Sequence, residues 1–470
     1  MRSSLLSVFI SCILIGGNGV LAYTSYANDF VDPNFIVAGE FGNNTLAAQA
    51  TILAWAKDSA SGGPWTVMSK TVTPPNGDKH DYMSWAPYWW PDCSKAGNTT
   101  ELAPEEVWKT CQYVSRDGLF NPDGRLINDV GNFQSLSDAV LYNAIAFSIT
   151  GGTSSSYSKT TVSFIKTWFL DDETKMNPNL NYGQMQRGPT GQFGSHTGIL
   201  DLKGMAKIVT GIIILRNKKS TDWTTDLDNQ MNAWTKEYIT WLETAPISLE
   251  EGHADNNHGT FYYNQLAALK ILVNDMDGAR NVTNTYFASQ YMSQIESSGE
   301  QPLEAARTRP YHYRAYNLAA MITNARIAEY AGDKSIWNKT TNQGATIKSA
   351  LDFAITISAT DSKETSYTEE LYPSIAAVAS IYGDSEGKYA SFLANGEGGY
   401  AEEAYFLWNQ PLAGGEQESA ALAKASSTSG ANNANATGTP KDQSNGAIGN
   451  AGSWLIGAAV VACLQCVFVL

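Results

Sequence analysis

Apolar positions recur along most of this chain at helical spacing. In TTDLDNQMNAWTKEYITWLET, Leu227, Met231, Trp234, Tyr238 and Trp241 follow one another in alternating steps of four and three. That spacing draws one continuous apolar stripe and predicts an amphipathic helix. SLSDAVLYNAIAFSITGG reads as a second helix, opened by a Ser135 cap and closed on Gly151 and Gly152. Similar patterns cover LKGMAKIVTGIIILRNK, TFYYNQLAALKILVND, YNLAAMITNARIAEYAGD and GATIKSALDFAITIS. No linker composition interrupts residues 23–415 and no self-similarity at a fixed period marks a solenoid. The expectation is an all-α chain folded as one large incomplete α/α toroid.

The two ends follow different rules. Arg2, the apolar run LLSVFISCILIGG and the small-residue site before Tyr23 read as a secretory signal over residues 1–22. Residues 416–446 are rich in Ser, Ala, Asn and Gly and lack aromatics, the composition of a disordered stalk. Beyond Ser444, Asn445 and Gly446, an uncharged spacer runs into an apolar tail that stops at Leu470 without a basic flank. This is the pattern of a GPI signal, removed with residues 447–470 when the lipid is attached. The expected location is the cell surface, with the lipid as the sole membrane contact. Once both ends are gone, Cys93 and Cys111 are left as one disulfide pair. Sequons at Asn43, Asn98, Asn281, Asn338 and Asn435 fit an exported surface.

Charge narrows the partners. The formal net charge is −15, which argues against nucleic acid and makes any polyanion an awkward ligand unless cations are gathered in one place. They are gathered in EAARTRPYHYRAYNL, residues 304–318, where three arginines interleave with three tyrosines and Pro310 interrupts a helix. All five histidines fall in this stretch or in three others: EEGHADNNHGTFYYNQ, KHDYMSWAPYWWPD and the Gly-rich NYGQMQRGPTGQFGSHTGILDLKG. Aromatic faces flanked by hydrogen-bonding groups suit sugar rings. His253 and His258 are five apart, so they do not share a helix face, and no metal-ligand spacing is evident. No metal or cofactor is expected.

The motifs NNHGTFYYNQ, PLEAARTRPYHYRAYNL and DYMSWAPYWWPD resemble those of the alginate-lyase-like polysaccharide lyases. The order His312–Tyr313, six residues after Arg307, is similar to polysaccharide lyase family 38, whose members act on mannuronan or glucuronan. The resemblance implies an α/α toroid that cleaves a uronic-acid polymer by metal-independent β-elimination. Removing the C5 proton builds negative charge on the uronate carboxyl, which Asn257 and Arg307 are placed to stabilise. Tyr313 is the expected acid, and also the base when C5–H and O4 share a face. His258 assists, or acts as the base when they do not. Positive charge from Arg307, Arg309 and Arg314 is expected to lower the phenol's pKa. Tyr82, Tyr88, Trp89, Gln184, His196, Arg309 and Arg314 are candidate substrate contacts. The Cys93–Cys111 disulfide is expected to stiffen the tryptophan loop. A glycoside hydrolase using Glu250, Glu251, Asp255 or Glu304 is the alternative enzyme. A carbohydrate-binding wall protein is the non-catalytic one. In either enzyme the partner is an anionic polysaccharide and the expected state is a monomer.

Overall fold

The computed structural model describes Tyr26 and residues 29–413, except 97–101, 153–154 and 397–398. The signal, stalk and tail, with the sequons at Asn98 and Asn435, lie outside the described residues. Asn43, Asn281 and Asn338 are all exposed. No described helix is long and apolar enough to cross a membrane.

The architecture is an incomplete α/α toroid. Its main helices are α1 (Leu46–Ala60), α2 (Asp129–Ile149), α3 (Met205–Asn217), α4 (Thr225–Thr244), α5 (Asn257–Leu272), α6 (Met276–Ala288), α7 (Pro310–Tyr330) and α8 (Tyr372–Tyr382). α2 packs between α1 and α3, α3 on α5, and α5 between α6 and α7. Two large apolar clusters fill the interior, and α2 feeds both. Leu141, Tyr142 and Ile145 enter one; Phe133, Leu136 and Val140 enter the other. Such a helix is apolar all round because it has no solvent face. Its buried Asp138 is paired with Lys207 at 2.6 Å, since a buried charge survives only with a partner. Gly211 on α3 sits where a Cβ would meet Val140 Cγ1 at 2.6 Å, so glycine permits the close α2–α3 approach.

Three local readings change. α2 begins at Asp129, two turns before Ser135, so that serine is interior rather than a cap. The start follows Asp129, whose carboxylate accepts from Met83 N (3.0 Å) and pairs with Lys70 (3.0 Å). Pro310 does not interrupt a helix: it opens α7, where the missing N–H has no helical acceptor to lose. The Gly-rich loop also contains a strand. β1 (Met83–Trp85) pairs in parallel with β4 (Tyr182–Met185), and β2 (Trp89–Asp92) pairs antiparallel with β3 (Gln112–Ser115). The Cys93–Cys111 disulfide closes the β2–β3 ladder one residue past the Asp92–Gln112 pair. Arg187 fastens this hairpin to β1, its guanidinium lying between the Trp85 ring (4.2 Å) and the Tyr113 ring (4.5 Å).

Candidate active site

The stretch 250–265 is less turn-like than its composition implies. Glu250–Gly252 end a short helix from Pro246, and α5 begins at Asn257. Asn256 caps α5, its Oδ1 accepting from His258 N at 3.2 Å. His258 therefore projects from the first turn into a cleft lined by His196, Ala254, Asp255, Asn256, Leu303 and Arg307. His253 stays outside it, exposed, with its ring on Leu249 O.

One carboxylate organises both cleft histidines. Glu251 is 0% exposed, and its two oxygens accept from His196 Nδ1 and His258 Nδ1, each at 2.6 Å. With Nδ1–H committed, His258 keeps Nε2 for other work, while His196 Nε2 faces Glu250 at 3.7 Å. Burial pushes the Glu251 carboxyl up, but His258 and His196 outweigh it and hold the group below its ordinary range. The hydrogen bond to Glu251 holds His196 above the usual imidazole range, against burial. The ligand atoms of His196, Glu251 and His258 lie within 4.8 Å of one another, a donor set that could hold a divalent cation.

These shifts set a pH window. A raised histidine stabilises the fold below its unfolded pKa of about 6.5, and that contribution is lost as pH rises through the raised value. A depressed carboxylate stabilises above its unfolded pKa of about 4.3 and loses that as pH falls. Both are present in weakly acidic solution. Glu251→Gln should lower stability most there, by on the order of 2 kcal/mol after allowing for the half-open His196. Denaturant melts across pH check this; a gap that widens above neutrality contradicts it.

Tyr313, on the first turn of α7, is 6% exposed. Its hydroxyl accepts from Arg307 Nη2 at 2.9 Å and lies 3.4 Å from the Tyr88 hydroxyl, while the Arg307 guanidinium sits 3.9 Å from the ring centre. Burial, then Tyr88, pushes the phenol well above its ordinary value, and Arg307 only partly offsets this. The expectation of a lowered phenol is thus reversed, because removal from water outweighs the neighbouring cation. Arg314 cannot help: it makes two 2.7 Å bonds to Glu300. Arg309 reaches Tyr367, Tyr88 and Gly118 O.

Asn257 sits behind the cleft wall, 1% exposed. Glu304 accepts from its backbone N and its Nδ2, both at 2.7 Å, and its Oδ1 has no partner. Arg307, not this amide, is the donor the cleft displays. Two other expected sugar contacts are internal. Tyr82 is 0% exposed with its hydroxyl on Asp201 (3.1 Å), and Gln184 is buried between Asp201 and Thr197. Tyr88 and Trp89 remain half-buried at the rim. The glycosidase alternative loses its best carboxylates, since both oxygens of Glu251 and of Glu304 are already engaged.

Sequence reasoning missed Asp117 and Glu370. Asp117 bonds Arg307 Nη2 at 3.1 Å from 190 residues away, and Glu370 holds His312 Nδ1 at 2.6 Å beside Tyr313. Neither belongs to a motif, so nothing local marked them.

The family described as alginate lyase matches residues 66–365. The fold is similar to the crystal structure of an alginate lyase from Bacteroides ovatus, with a TM-score of 0.69 and 28% identity over 83% of this chain and 100% of that one. No curated protein matches.

Proposed function

Because this chain belongs to the alginate lyase family and is a polysaccharide lyase, we propose that it cleaves a uronic-acid polymer, mannuronan or glucuronan, by β-elimination at the Tyr313–His258–Arg307 cleft. The observation that carries this is the Tyr313 hydroxyl held on the Arg307 guanidinium, which lines one cleft with His258. The uronate carboxyl docks on Arg307, whose planar fork suits a carboxylate. As the C5–H bond breaks, charge accumulates on that carboxyl and the guanidinium stabilises it. Asn257 stays behind the cleft wall, where its backbone N and Nδ2 hold the Glu304 carboxylate. Where C5–H and O4 lie on opposite faces, the C5 proton passes to His258 Nε2, whose availability follows from Glu251 holding Nδ1–H. The electron pair forms the C4–C5 double bond, the C4–O bond breaks, and Tyr313 donates its proton to the leaving oxygen. Where C5–H and O4 lie on one face, Tyr313 also serves as base once it has lost its proton beside Arg307. The sequence signals at both ends and the disulfide support export to the cell surface with a lipid anchor.

Incubation of the purified protein with polymannuronate, polyguluronate and polyglucuronate tests the reaction. Ultraviolet absorbance from the new double bond should rise on at least one of them. New reducing ends without that absorbance would mean hydrolysis and end the proposal.

A further inference from the structure

Six described arginines pair with a carboxylate: Arg187 with Asp123, Arg216 with Asp228, Arg280 with Asp277, Arg307 with Asp117, Arg314 with Glu300 and Arg326 with Asp29. Arg116 is different. It is exposed, makes no ion pair with a described carboxylate, and lies 5.5 Å above the ring of Trp90.

Its position follows from the β2–β3 register. Trp90 pairs with Val114, which puts Arg116 diagonally across the ladder from Trp90 on the same face. The opposite face carries Tyr113, buried against Arg187. Alternation therefore turns Trp90, Val114 (37% exposed) and Arg116 outward. Trp90 is fixed at its far edge by Nε1 donating to Leu119 O at 2.8 Å. The shelf adjoins the cleft. Arg116 N donates to Tyr88 O at 2.7 Å, and Tyr88 touches Tyr313. The next residue, Asp117, reaches Arg307, and Gly118 O receives Arg309.

We propose that Trp90 and Arg116 form an additional binding subsite for a uronate residue flanking the one that is cleaved. Two strand positions from Tyr88 is about 7 Å, roughly one sugar ring along the rim. Trp90 offers an apolar face to the ring's C–H bonds. The guanidinium, held over the indole at 5.5 Å, offers N–H donors to a carboxylate beside that face. An exposed cation beside the cleft also offsets the net charge of −15 that would repel a polyanion. The inference rests on the elimination reading for the identity of its ligand. Its contribution is binding alone, since neither residue reaches the reacting atoms.

Arg116→Gln and Trp90→Ala, singly and together, test it on the full chain. For long polyuronates, KM should rise about five- to tenfold at low salt with kcat unchanged. Cleavage of the shortest oligomer that is turned over should not change, and the difference should shrink at high salt. Variants that match the wild type at every chain length overturn the subsite while leaving elimination intact. A uniform loss at every length overturns it too, because that pattern belongs to a structural role. If the wild type eliminates no polyuronate, the reaction reading fails on its own. Affinity electrophoresis in polyuronate gels then decides the subsite: weaker retardation of the variants supports it, and equal retardation overturns it.

Discussion

Tyr313→Phe is expected to reduce elimination by about 10²–10⁴-fold, the range for a lost general acid. The ring should stay in place, because its packing against His312 and the Arg307 guanidinium does not need the hydroxyl. Substrate affinity and melting temperature should therefore remain close to those of the parent. The phenol sits high on the pH scale because it is buried, so the parent should hold its proton donor throughout neutral and mildly alkaline solution. Continuous ultraviolet assays at saturating polymer measure the effect. Turnover in the phenylalanine variant within a few-fold of the parent would remove Tyr313 from the chemistry.

Arg307→Ala should be nearly as severe, about 10²–10³-fold in kcat, and unlike the tyrosine change it should also raise KM. In the proposed mechanism the guanidinium docks the uronate carboxyl, and in the structure it already lowers the phenol's pKa against burial. Arg307→Lys keeps the charge and loses the fork. It should recover binding more than rate. A lysine variant with full kcat would show that charge alone suffices and that the fork has no part in the transition state.

Helix existence was readable along most of the chain, because the 3.6-residue apolar period survives wherever one face meets solvent. The Leu227–Trp241 stripe became α4 with Met231, Trp234 and Tyr238 buried. The period says least about α2, which has no wet face, and its start was misplaced because the true start is held by Lys70 and Met83 far away in sequence. Some neighbours within the motifs were legible: His258 and Arg307 line one cleft, and Arg307 bonds the Tyr313 hydroxyl. Groups that act through space were not. Glu251 serves two histidines 55 and 7 residues distant, and composition ranked it only as a possible hydrolase acid. The direction of the Tyr313 shift was also hidden, since sequence shows nearby cations but not the loss of water around the phenol.

The stretch from Ala86 to Leu126 supplies no member to either large apolar cluster among the described residues. It is tied down instead by a disulfide, a guanidinium sandwich and bonds to Arg307 and Arg309. This stretch is thus a detachable fitting on a rigid frame. Substitutions in this stretch are therefore expected to leave the helical frame folded.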